Sequence, residues 1–541
     1  MMQSSDSNEP KVGSFRIMRL FGTIETSFHT AHLTPAPKGE SARCWFVPLG
    51  IKGAGRLRVF KRLFYTGALF LMASFAVSGQ RITVSEEIML KDDLGYDILG
   101  NMNGQTLLLR DRGTDYEVRS YDAQMLLRWE RTLELEKRST DMISLIAGEN
   151  QFHFLYGYRH RGDYIIMHRT YSSELVLMDT MVVHVDEKEY FTPRYKAAVS
   201  EDRTKVLLFQ AEKENEISTM VYALPEKKLL WSKEIRMQEG SVRRDFRDML
   251  VSNNGDVFII LDQERLSERY HAFDVLFIDA GTRVLRDTEV NLGELLAADV
   301  YSVIDNVNHR LFISGLYNER AIGRSKGMYM TTVNMRDMKV QLRTVLFSEE
   351  FLQNIYGKEV SANRGLTNFT IQDVALRHDG GALLIAEMTK EYSRRPNVPG
   401  RREFGYTRGG WVDYYYEDLI VFALHPDGTE HWNAVLHKKQ YSQDDDAMYS
   451  SYFLFRTPEM LRLLFNDEIR LENMVSEYVI RGNGYHRRQS VFSTDYQRLR
   501  LRLKDAVQIS YNECIVPSER NSRLCLVKIT FEDKAETVKN D

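Results

Sequence analysis

From Gln80 onward, apolar residues fall in alternating or continuous runs of four to eight, divided by Gly, Asn, Asp and Pro, and a sustained 3.6-residue period is almost absent. That pattern predicts strands joined by short turns. The stretch 411–467 shows it most clearly and reads as one structural unit of four strands. Leu419–Leu424 is followed by the turn residues Pro426-Asp427-Gly428, then by runs beginning at Trp432, Ser451 and Met460, with no helix expected among them.

The unit recurs. A strand runs into a short polar turn and a second strand opens on a large apolar residue: Val118 to Asp122 leads to Trp129, Val221 to Pro225 to Trp231, Val275 to Asp279 to Leu285, and Val421 to Leu424 to Trp432. Weaker copies end at Leu177, Leu342 and Phe492, and the anchor spacings are 48, 54, 54, 57, 90 and 60 residues. Such spacing suits four-stranded blades with generous loops, and the 90 requires an insertion, most of it expected between Glu387 and Leu419. Another hairpin precedes each pair, as in 97–110, 249–261 and 373–387.

Four antiparallel strands per unit, repeated at least six times, predict an all-β chain folded as a β-propeller. The C-terminal strands expected at Leu499–Lys504, Val507–Tyr511 and Leu524–Phe531 need a fourth, which Ile82–Leu90 supplies, so a strand from the N-terminus closes the ring. Eight blades follow, with seven as the alternative and a pair of β-sandwiches as another way to house so many strands.

Residues 1–57 carry neither period and are expected to be a disordered or upstream extension, with translation starting near Val59. Arg58 to Arg62, the apolar run Leu63 to Val77 and the small residues Val77-Ser78-Gly79 have the order of a secretory signal peptide, with an uncleaved anchor as the alternative. The propeller is then expected over 80–533 and a charged tail over 534–541, in a periplasmic or secreted monomer without a stable membrane span after cleavage. Net charge of −4 with 27% charged residues gives no signature of a nucleic-acid binder, and 43% hydrophobic with 11% aromatic residues suffices for a large core.

In a propeller, the loops between second and third strands open on the same face as the connections between blades. On that face the loops at 156–161, 317–326 and 390–411 carry eleven Lys or Arg against four Asp or Glu, counting Asp163 just past the first loop. The long insertion adds aromatics to this charge, a mixture typical of binding hot spots. Arg394, Arg395, Arg401, Arg402, Tyr406, Arg408, Trp411, Tyr414 and Tyr415 are therefore candidate binding residues. The same face receives Asp444, Asp445, Asp446, Asn466 and Asp467, whose oxygens suit ion pairs with the Arg-rich insertion better than a calcium site, since no calcium-loop spacing is present. The bland alternative is a solvated loop that happens to be basic.

The strand-turn-Trp pattern over 95–531 resembles the blades of quinoprotein-like and WD40-like propellers, and 411–467 is similar to secreted propeller-type proteins of Gram-negative bacteria. The resemblance implies architecture alone. The quinoprotein Thr-Gly is missing from most copies, no Trp-Asp ends a strand, and the sialidase-type Ser-x-Asp-x-Gly-x-Thr-Trp box is absent. Neither a Gly-x-Ser-x-Gly elbow nor a Walker loop occurs, and Gly482-Asn483-Gly484 suits a hairpin turn. No catalytic residue, metal site or cofactor is expected.

The function expected is binding or scaffolding of an envelope protein or glycan, with no nucleic acid. A glycosidase or lyase using Asp445 and Asp467, with Arg401 or Arg408 as clamp, is the competing reading. His153, His160, His168, His184 and His271 fall on separate strands and loops without metal-ligand spacing. Cys514 and Cys525 flank a loop centred between Glu519 and Arg520 that sets them opposite one another, so a disulfide is expected.

Overall fold

Second and third strands of each unit are buried on both faces, as in Gln105–Asp111, whereas fourth strands such as Leu127–Thr132 are largely exposed. That gradient is what stacked sheets require, because the two central strands meet neighbours on either side. A computed structural model describes residues 80–531, apart from 189–191, 212–214, 238–240, 266–269, 321–322, 359–363, 395–410, 468, 470–473 and 495–497. The expected upstream extension, signal peptide and charged tail lie outside the described residues.

Eight antiparallel sheets follow one another along the chain. We number the blades 1 to 8 in chain order; they span 95–132, 141–186, 196–236, 246–291, 296–346, 369–443, 452–493 and 507–530, the last completed by N-terminal strands. Arg81–Val84 and Ile88–Met89 both pair with Arg523–Thr530 and form the outer edge of blade 8. Each pair of successive blades encloses its own apolar cluster, and the ring closes where Ile88, Ile515, Leu524 and Leu526 of blade 8 meet Leu108 and Tyr121 of blade 1.

The predicted anchors Trp129, Leu177, Trp231, Leu285, Leu342, Trp432 and Phe492 all lie on outer strands. The turn before each holds one residue in the left-handed region: Met125, Leu175, Lys227, Arg283, Met338, Gly428 and Gly484. Five of the seven are not glycine, which explains why turn chemistry was plain in the sequence only near Gly428 and Gly484.

Several expectations need correction. Residues 411–467 are not one unit: they run from the third strand of blade 6 to the second strand of blade 7. Leu499–Lys504 is not a strand; it makes a single bridge, Leu501 to Ser518, and then the short helical turn Leu503–Asp505, while the strand actually present is Glu513–Arg520. The 90-residue spacing is shared between the long hairpin and an unpredicted helix, Glu349–Tyr356. Its signals were local and readable, for Ser348 caps the Phe351 amide and Gly357 ends the helix at φ 64°.

The expected disulfide is absent. The hairpin turns at Asn521-Ser522, both with positive φ, so Cys514 pairs with Ile529 and Cys525 with Ser518. The cysteines share a face but stand four positions apart along it, about 13 Å at ordinary strand rise. Both are buried free thiols within the core between blades 7 and 8.

Candidate functional site: an arm on blade 6

The second and third strands of blade 6, Ala382–Arg394 and Trp411–Leu424, are the longest of the described strands, at 13 and 14 residues. Their ladder breaks once. Glu387 pairs with Leu419 and Thr389 with Tyr416, so Glu417 and Asp418 bulge opposite Met388. Below the break the third strand pairs with the outer strand Glu430–Leu436; above it, Asp413–Tyr416 pairs instead with Gln440–Gln443. The upper part is therefore a three-stranded arm made of 389–394, 411–416 and 440–443.

A buried ionic joint sits at the break. Lys438 and Glu387, both with fully buried side chains, pair at 2.6 Å. Lys438 Nζ also donates to the Tyr416 carbonyl at 3.1 Å and to Gln440 Oε1 at 2.8 Å, while Ser451 donates to Glu387 Oε2 at 2.6 Å. Burial pulls the lysine below its ordinary pKa and the Glu387 charge opposes that fall. Gln440 extends the network, donating to the carbonyls of Ser451 and Asn466.

Register puts Lys390, Tyr392, Arg394, Trp411, Asp413, Tyr415, Tyr441 and Gln443 on one face of the arm. Rings meet along it: Tyr392 and Tyr415 edge to face at 6.0 Å, Tyr415 and Tyr441 at 5.0 Å, with Lys390 Nζ 4.3 Å above the Tyr392 ring. Asp413, 1% exposed, is held beneath by an ion pair with Arg394 and by the Tyr441 hydroxyl at 2.8 Å. Tyr392 and Trp411 remain 46% and 38% exposed. Two exposed aromatic faces braced from below can stack against a planar or flat ligand surface, with cationic groups beside them.

The remaining candidates divide by role. Tyr414 points to the other face, donates to Asp446 Oδ1 at 3.3 Å and is pushed up to about 12, chiefly by burial. Asp444 clamps the arm by exchanging bonds with the Val412 backbone at 2.8 and 3.0 Å. Asp445 accepts from the Ala447 amide within its own turn, and burial raises its carboxyl above the usual range. Asp444, Asp446 and Ala447 all have φ between 52° and 55°, so this connection is set by local geometry. Asn466 is buried and donates both amide hydrogens to the carbonyls of Tyr449 and Leu501. Arg395, Arg401, Arg402, Tyr406 and Arg408 lie outside the described residues.

Asp467 does reach a surface depression. It pairs with Arg488, accepts from Ser476 at 2.8 Å, and joins Glu417, Asp418, His437, Lys438 and Lys439 around an open hollow of about 450 Å³. Asp445 does not line that hollow. Among the described residues there is no group of three or more His, Cys, Asp and Glu that could hold a metal ion.

Sequence reasoning missed Tyr441, Asp413 and the Lys438–Glu387 joint. The alternation Trp411, Asp413, Tyr415 was visible, but which strand would pair beside it was not.

Fold and site together define an eight-bladed β-propeller that carries an aromatic arm on the face of its blade-to-blade connections. Solved structures similar to it include the WD40 domain of SCAP from fission yeast, at 9% identity and TM-score 0.38, covering 84% of this chain and 98% of that one. Saccharomyces cerevisiae Sqt1 matches at 8% and 0.40, covering 84% and 100%. Porphyromonas gingivalis dipeptidyl peptidase 4 matches at 9% and 0.41, covering 80% of this chain and 59% of that one. Likeness of this degree carries no argument about activity. No protein-family model matches the chain, and neither does any curated protein.

Proposed function

We propose that this chain is an exported binding module that takes an envelope protein or glycan across the blade 6 arm. The observation that carries the reading is the Tyr392, Trp411, Tyr415 and Tyr441 face, because exposed Tyr392 and Trp411 and half-buried Tyr415 and Tyr441 share it with a buried Asp413 that is paired with the exposed Arg394, a preorganised contact surface. The segment 395–408, which follows Arg394 in sequence, carries Arg395, Arg401, Arg402 and Arg408. Export rests on the signal-like order of residues 58–79, and the mature chain is expected to begin near Gln80, which intact-mass measurement of the native protein checks.

The test separates the two ligand classes. Wild type and the Tyr392→Ala/Trp411→Ala variant are passed over immobilised envelope polysaccharide and, separately, immobilised envelope protein. Wild type binds one of them, and each aromatic removed weakens that binding by about 2 kcal/mol. Equal binding by variant and wild type rejects the arm as the site.

A further inference from the structure

The stretch Arg498-Leu499-Arg500-Leu501-Arg502-Leu503-Lys504 alternates cation and leucine without a break. The structure divides it accordingly: Leu499, Leu501 and Leu503 enter the core between blades 7 and 8, while Arg498, Arg500 and Lys504 are exposed. This segment runs antiparallel beside the second strand of blade 8. Leu501 bridges Ser518, the Arg502 amide donates to the Pro517 carbonyl at 2.8 Å, and the Glu519 amide donates to the Arg500 carbonyl at 3.1 Å. Arg498 and Arg500 are thereby set beside the hairpin tip Arg520-Asn521-Ser522-Arg523, which opens on the face of the blade-to-blade connections.

Carboxylates among these cations are already taken. Arg502 turns aside to pair with both Asp505, at 2.7 Å, and Glu519, and Arg523 pairs with Glu87 at 2.6 Å. Arg498, Arg500 and Arg520 have no ion pair among the described residues. Arg500 is also held in place. Its guanidinium lies 5.7 Å from the centre of the Tyr449 ring, and the Tyr449 hydroxyl donates to the Glu519 carbonyl at 2.7 Å. A guanidinium stacked in this way keeps its edge free to hold an oxyanion through two parallel hydrogen bonds.

We propose that the blade 8 tip binds an acidic polysaccharide, whose anionic groups seat on Arg498, Arg500 and Arg520. The surface is separate from the blade 6 arm and stands or falls independently of it. Arg498 and Arg500 lie two residues apart on an extended segment, about 7 Å at ordinary strand rise. A line of charge on a convex tip suits a polymer with spaced charges better than a single small anion. Asn521 and Ser522 carry exposed amide and hydroxyl groups between the arginines, which are partners for sugar hydroxyls. Glu87 and Asp92 border the tip, so duplex DNA, with a charge every ~1.7 Å, would press phosphates against them. The four tip residues have no apolar side chain to enter a bilayer.

The experiment measures binding of the full chain to immobilised dextran sulfate and to uncharged dextran at about 0.1 M salt, where only close charges still interact. Wild type should bind dextran sulfate alone. Arg498→Gln/Arg500→Gln/Arg520→Gln should weaken that binding about tenfold or more. Arg336→Gln/Lys339→Gln/Arg343→Gln removes the same charge from exposed positions on blade 5 and should change binding less than about twofold. Failure of wild type to bind, or equal weakening by the two variants, overturns the proposal. Soluble competitors test the ligand class: duplex DNA, polyglutamate or phosphatidylglycerol vesicles that displace the chain as effectively as dextran sulfate assign the tip to another kind of partner and overturn it too.

Discussion

The seam between blades 6 and 7 and the seam between blades 2 and 3 both bury polar groups in an apolar ring, and they do so by opposite means. At the first, charge answers charge: Lys438 and Glu387 lie together, fully desolvated, with Gln440, Ser451 and Asn466 taking up the remaining donors and acceptors. At the second, the buried polar groups are two imidazoles and a phenol, and the Lys227–Asp179 ion pair lies at the surface. His153 Nδ1 contacts His168 Nε2 at 2.9 Å, and His168 Nδ1 contacts the Tyr222 hydroxyl of blade 3 at 3.0 Å, so each contact is served by one shared proton. Burial pulls His153 to about 4, helped by Lys227, and His168 to about 3, helped by His153. The ionic seam stands at the root of the arm, where a bulge frees a carbonyl for a cation; the neutral seam joins two regular blades. The two seams should consequently fail for different reasons, one through loss of a partner and one through gain of a proton.

Among single substitutions, removing a partner gives the largest effect. Lys438→Met leaves Glu387 buried without a counter-charge and should cost about 3–5 kcal/mol in urea unfolding, whereas Lys438→Met/Glu387→Met should recover most of that loss. If the double variant is no better than the single, the pair does not govern the seam. Acid acts on the other seam. Both imidazoles have folded pKa values below the unfolded value of about 6.5, so the unfolded chain takes protons first as pH falls. Their stabilising contribution is complete above about pH 6.5 and declines toward pH 4, by on the order of 3 kcal/mol per imidazole. His168→Gln should flatten that decline measurably.

Smaller effects sharpen the contrast within the ionic seam. Asn466→Ala strands the carbonyls of Tyr449 and Leu501 and should cost about 2 kcal/mol. The adjacent Asp467→Ala loses a partly exposed pair with Arg488 and the acceptor of the Ser476 hydroxyl, and should cost about 1 kcal/mol. Smallest of all, a cysteine reagent applied to the denatured, unreduced chain should label Cys514 and Cys525 alike, since no bridge joins them.

The ring was legible because its repeat is carried by residues the core demands. Trp129, Trp231 and Trp432 recur because an outer strand must close over the strand before it, and the runs Leu107-Leu108-Leu109 and Ile259-Ile260-Leu261 are continuous because both faces of a middle strand are covered. Partners across the ring were not legible. The sequence puts Asp444 to Asp446 and Asn466 on one face, where their oxygens suit ion pairs with the Arg-rich insertion, yet each satisfies a backbone amide, a neighbouring hydroxyl or a backbone carbonyl. The two histidines of blade 2 looked unrelated because they meet only through the register of their hairpin, where Leu155 stands opposite His168 and His153 opposite Thr170. The same uncertainty of register misplaced the cysteines, since moving the turn centre by two residues separates them along the strand.

The central claim, that the blade 6 arm is the binding surface, is tested most directly by hydroxyl-radical footprinting of the chain with and without envelope extract. Tyr392, Trp411 and Tyr415 should become protected, while Tyr485 and Tyr511, exposed in turns at the opposite face, should stay as reactive as before. Protection of Tyr485 or Tyr511 with no change at the arm would contradict the account.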